Sequence, residues 1–97
     1  MMETKRDSET TRVVFRRWKA ANGGTVLALF PYERETRPGD CSSYEHVGQH
    51  GAANYLNCIA GTVPAMSNEP DVIELRRELE RIGYNLRVIR RASWRLR

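Results

Sequence analysis

Cysteine is scarce in this sequence: Cys41 and Cys58 are the only two in 97 residues. Two thiols are too few for a disulfide scaffold, and without an apolar leader both are expected to be reduced. Long apolar runs are missing too. The longest, Val26 to Pro31, is far short of the ~20 residues a membrane-spanning helix needs. Met1 to Thr11 is polar, of mixed charge, and lacks the apolar stretch of a secretion signal. It is expected to be a disordered tail on a soluble, cytoplasmic protein. There is no internal repeat, no paired-carboxylate motif and no phosphate loop. Asn22-Gly23-Gly24 lacks the following Lys-Ser/Thr and the strand-to-helix setting, and a hairpin turn accounts for it. No cofactor is implied.

With 40% apolar and 29% charged residues the chain is globular in composition, not disordered. Its length suits one domain, placed at residues 12–92, with a single modest core. Arg12 to Ala20 and Thr25 to Tyr32 are rich in β-branched and aromatic residues, with Asn22-Gly23 between them. That pattern predicts a hairpin with a type I′ turn, Trp18 facing Leu27 and Phe15 facing Phe30. Val13, Phe15, Ala28 and Phe30 then share one face, and Val14, Trp18, Leu27 and Leu29 the other. The second strand, apolar on both sides, belongs in the interior. The first, with Arg16 and Arg17 on opposite faces, is expected near an edge, and Pro31 is expected to end the ladder.

Cys41 to Val47 reads as a third strand. Ala52 to Ile59 is open between a short helical turn and an ordered coil, and Gly61 to Ser67 is a connector. Asn68 as N-cap, Pro70 in the first turn and Asp71 near the N-terminus predict a helix over Glu69 to Ile82. Its stripe is Val72, Leu75, Leu79 and Ile82, and Gly83 stops it. Asn85 to Ala92 returns as the last strand, with Leu86 and Val88 inward, and residues 93–97 form a basic tail. The expected fold is α+β: an antiparallel sheet of about four strands in the order β-β-β-α-β, with one main helix on one face.

Ser43 to Tyr55 (SYEHVGQHGAANY) holds both histidines, Gln49, Asn54 and two tyrosines, with Gly48 and Gly51 loosening the backbone around Gln49-His50. Such a segment can turn backbone amides and an imidazole toward one ligand. Tyr44, His46, Gln49, His50, Asn54 and Tyr55 are therefore the candidate contacts for a ligand or partner, weighed against plain hydrogen-bonding and turn-making roles. Cys41, His46, His50 and Cys58 are zinc-type donors, but C-x4-H-x3-H-x7-C is not the spacing of a usual zinc module, and no metal site is assigned. A Cys41–His46 nucleophile pair is disfavoured by their strand parity, whereas pairing Cys41 or Cys58 with His50 stays open.

Charge is distributed unevenly. Residues 1–82 carry eleven Lys/Arg and twelve Asp/Glu, net −1, whereas residues 83–97 carry five Arg and no acid. Arg87, Arg90, Arg91 and Arg95 interleave with Trp94, and Arg16 and Arg17 flank Phe15 and Trp18. If the first and last strands are neighbours, these residues make an alternative, nucleic-acid-binding face. The competing explanation is a solvated edge whose Arg stems cover apolar surface.

The runs VVFRRW…VLALFP, SYEHVGQHGAANY and RIGYNLRVIRR resemble a group of small uncharacterised proteins encoded by bacteria, their phages and their plasmids. The likeness spans about Val13 to Arg91 and is most specific at HVGQHG. The usual member has Asp at the position of Asn54 and a shorter hairpin turn. The resemblance implies a bacterial or mobile-element origin and a cytoplasmic location, and it carries no activity. A non-enzymatic binding or accessory protein is thus the leading expectation, its partner a protein or small ligand. Nucleic-acid binding is the rival. A small enzyme using His46 or His50 comes third.

Overall fold

The computed structural model describes residues 10–34, 40–45 and 49–90. Among these residues the fold is α+β: two helices on a curled sheet of six strands. Strand β1 (Thr10–Trp18) leads through a 3-10 turn (Ala20–Asn22) to β2 (Val26–Arg34). Then follow β3 (Asp40–Glu45), β4 (Gln49–Asn54), helix α1 (Tyr55–Gly61), β5 (Thr62–Pro64), helix α2 (Pro70–Ile82) and β6 (Asn85–Val88). The sheet order is β4-β3-β2-β1-β5, and β6 also pairs with β1. All pairings are antiparallel except β1 with β6, which is parallel. Among the described residues no helix is long and apolar enough to cross a membrane.

The hairpin forms where expected, with the expected faces, but its register differs. Phe15 pairs with Ala28 and Arg16 with Leu27. The cause is the longer connection. Gly23 and Gly24 take φ of 111° and 72°, and the Trp18 amide donates to the Thr25 carbonyl. Both values lie where an L side chain is strained, so the turn needs both glycines. A slip of two residues leaves every side chain on its own face. Pro31 does not end the ladder either. Strand β2 continues to Arg34 through an irregularity against β3 between Phe30 and Arg34, the kind of place where a strand tolerates proline.

Strand β1 lies one strand in from the end of the sheet, near the edge as expected but paired on both sides. One edge binds β2. The other is shared end to end by β6, over Thr10 to Val13, and β5, over Arg16 to Trp18. Strand β1 also begins at Thr10, inside the segment expected to be a tail. The sheet is covered on both faces, so the single expected core is two. Val13, Phe15, Val26, Ala28, Phe30 and Tyr44 pack beneath Val72, Leu75 and Leu79 of α2. Val14, Leu27, Leu29 and Cys41 pack against Tyr55 and Cys58 of α1. Both cysteines are buried, and neither is joined in a disulfide.

Helix α2 starts one residue later than its Asn68 cap implied. A residue before proline is pushed out of the helical region, and Glu69 at φ −75°, ψ 139° becomes the cap. Its other end is a Schellman turn: the Tyr84 amide donates to Leu79 O and the Gly83 amide to Glu80 O. Ile82, expected in the core, is 52% exposed, while the Tyr84 ring stacks on Phe30 at 5.1 Å. Val88, also expected inward, is exposed. Leu79→Ala should cost about 2–5 kcal/mol in urea denaturation, and Ile82→Ala under about 1. Equal costs for the two would contradict the packing of α2.

Candidate functional site

Helix α1 begins at Asn54, whose side-chain oxygen accepts from the Asn57 amide at 3.0 Å, an N-cap. Tyr55 and Cys58 turn one face into the core. At the other end the Thr62 hydroxyl donates to Cys58 O at 2.6 Å. Arg16 of β1 closes that end. Its Nε donates to Thr62 Oγ1 at 2.8 Å, and its Nη2 to Thr62 O at 3.0 Å and Ile59 O at 3.2 Å. A cation on the last carbonyls of a helix satisfies acceptors that otherwise lack partners and suits the helix dipole. Burial pulls the Arg16 guanidinium below its ordinary pKa, with Tyr55 acting against that shift.

Strands β5 and β6 run toward each other along one edge of β1, and their C-terminal ends stop at Arg16 and Val13. The chain beyond each still bonds to β1, Ala65 N to Phe15 O and Ile89 N to Val13 O. A groove of about 620 Å³ opens at this junction. Phe15, Tyr55, Leu56, Ile59, Pro64, Ala65, Met66, Val88 and Ile89 make its walls apolar, and Arg16, Arg90 and Ser67 complete it. Leu56 is 66% and Met66 52% exposed on the rim. No carboxylate or histidine lies among the lining residues. The volume falls within the ~300–1,000 Å³ typical of ligand clefts.

The two tyrosines of the segment picked out in the sequence lie in different cores. Tyr44 is 1% exposed in the core under α2, where its hydroxyl donates to Glu78 Oε2. Tyr55 is buried in the core under α1, on the other side of the sheet. The two tyrosines cannot wall one cavity. Asn54 is occupied as the helix cap. Gly51 is an ordinary strand residue, opposite Ser43, whose hydroxyl donates to Gly51 O at 3.1 Å. Gln49 and His50 lie on β4 opposite Glu45 and Tyr44. Their side chains, and the whole of His46, lie outside the described residues. Among the described side chains of the six, Tyr55 lines the groove.

The basic alternative is partly assembled. Strands β1 and β6 are neighbours, with Arg12 opposite Arg87. Arg16 and Arg17, however, are engaged inside the fold. Arg17 Nη1 and Nη2 each lie 2.8 Å from a carboxylate oxygen of Asp71, and Nη2 is 2.5 Å from Glu69 Oε1. Arg12 stacks on Tyr32. Trp18 is half-buried, and a Cβ at Gly61 would come within 3.3 Å of its ring. Arg87 and Arg90 are exposed. Arg91, Trp94 and Arg95 lie outside the described residues. The groove left no clear trace in the sequence, because its lining comes from β1, α1, β6 and the segment after β5. The nearest signal was the apolar residue Leu56 on the polar side of a short helix.

No family model matches this chain, and no curated protein or solved structure is significantly similar to it.

Arg17 holds the carboxyls of Glu69 and Asp71 below their usual range, chiefly by hydrogen bonding. Lowered carboxylate pKa values stabilise the fold above the unfolded value of about 4, and that stabilisation is lost as pH falls through the folded values. Arg17→Gln should therefore lower Tm at pH 7, and the gap to wild type should close as melts are taken from pH 5 down to pH 2. A gap independent of pH would rule out the ion pair as its cause.

Proposed function

We propose that this protein is a small, non-enzymatic binding protein of the bacterial cytoplasm, and that its contact surface is the groove between α1, β5 and β6. The observation that carries this is the 620 Å³ apolar cleft with Leu56, Met66 and Val88 exposed around it. A contiguous apolar rim over a formed cleft is what soluble domains reserve for binding. The lining also supports binding over catalysis. It offers the hydroxyls of Tyr55 and Ser67 but, among the described residues, no neighbouring carboxylate or imidazole to act as base. Cys58 is buried, and its thiol is pushed up by desolvation, which makes it a poor nucleophile. The likeness to small proteins of bacteria and mobile elements agrees with an accessory role. Compared with the segment 44–55, this site keeps Tyr55 and replaces the rest.

N-phenyl-1-naphthylamine, a neutral apolar fluorophore, tests the groove. It should brighten and saturate with one probe per chain. Leu56→Asp with Met66→Asp should weaken it by about tenfold or more, since both side chains are exposed and the fold does not depend on them. Saturable binding that ignores the double variant would place the site elsewhere.

Nucleic-acid binding is kept as a second reading because β6 lies beside β1 and sets Arg87 next to Arg12. Affinity for single-stranded DNA should then fall steeply with salt, and Arg87→Ala with Arg90→Ala should flatten the slope by about 2. No binding at tens of micromolar in low salt would remove this reading.

A further inference from the structure

Among the described residues, two cations and no anion face the groove. That imbalance is local. Arg17, the neighbour of Arg16, is neutralised by Glu69 and Asp71, and Arg76 pairs with Glu80. Arg16 has no carboxylate partner among the described residues. Its Nε and Nη2 are committed to Thr62 and Ile59, which holds the guanidinium plane still, and its Nη1 has no partner among the described residues. Arg90 is exposed on the rim without an ion pair among the described residues.

We infer that the groove takes a small amphipathic anion, a medium-chain carboxylate whose apolar body lies along Leu56, Ile59, Met66 and Val88 and whose head meets Arg16 and Arg90. This rests on the groove being the binding site proposed above. Charge complementarity points to this occupant. An apolar wall alone would accept any hydrophobe, but a fixed, partly desolvated guanidinium with no counter-ion among the described residues gains more from an anion than from a further neutral acceptor. Burial already disfavours the charged form of Arg16, and a carboxylate would reverse that. Because Nη2 is occupied, the head is held through one oxygen at Nη1. Arg90 adds attraction from the rim.

Displacement of N-phenyl-1-naphthylamine by decanoate and by 1-decanol, both below their aggregation limits, separates head from tail. Decanoate should displace the probe at about tenfold lower concentration, the worth of one charge-assisted hydrogen bond. Arg16→Gln and Arg90→Gln should each shrink that preference while leaving 1-decanol unchanged. Because Arg16 also closes α1, the Arg90→Gln variant decides if Arg16→Gln does not fold. Equal displacement by decanoate and 1-decanol overturns the anion inference and leaves the groove as a binding site. A preference untouched in Arg90→Gln also overturns it. Failure of the neutral probe to bind removes the groove itself, and the inference with it. Sedimentation showing a dimer that excludes both compounds would assign the groove to a second copy. An oligonucleotide displacing the probe where decanoate does not would assign it to nucleic acid. Either result overturns the inference.

Discussion

Two consecutive arginines in the first strand organise this fold. Arg16 and Arg17 stand on opposite faces of β1, because successive strand residues alternate. A partly covered charge on a sheet is stabilised by being paired or hydrogen-bonded. Each arginine is stabilised in this way on its own face by holding a helix. Arg16 gathers the carbonyls at the end of α1. Arg17 grips Glu69 and Asp71 at the start of α2. The two helices, and with them the two cores, are thereby referred to one strand.

The groove follows from the same arrangement. Strand β1 has one edge left after β2, and neither β5, of three residues, nor β6, of four, is long enough to fill it. Each takes one end. Their meeting point, over Phe15 and Arg16, is a discontinuity in an otherwise paired sheet, and α1 walls it on one side. Arg16 thus closes a helix and forms part of a cleft at once. Its structural role fixes its geometry, and that fixed geometry is what a binding site requires.

Much of the fold was legible. The face assignment of β1 and β2 depends only on alternation and survived a change of register by two. Val72, Leu75 and Leu79 at helical spacing, with Pro70 and Gly83 at the ends, marked α2 because those signals are local. Ile82 obeyed the same spacing yet lies outside the core, since Tyr84 reaches Phe30 instead. The site was far less legible. Polar density from Tyr44 to Tyr55 drew attention to a segment whose tyrosines are divided between two cores. Tyr44 ends on a carboxylate 34 positions away, Glu78, a partner no local pattern announces.

By itself the sequence determined the α+β class, the helix α2, the pairing of β1 with β2, and the two faces of that hairpin. All of these rest on short-range periodicity, capping and turn chemistry, which act between residues a few positions apart. Only the tertiary structure decided that β1 is paired on both edges, that both faces of the sheet are covered, that β6 lies parallel to β1, and that Arg17 is spent inside the fold while Arg16 and Arg90 face a groove. Those outcomes depend on contacts between residues more than 40 positions apart, such as Arg16 with Thr62 and Arg17 with Asp71. An arginine reads the same in a sequence whether its partner is solvent, a helix end or a ligand, and the folded chain alone supplies the difference.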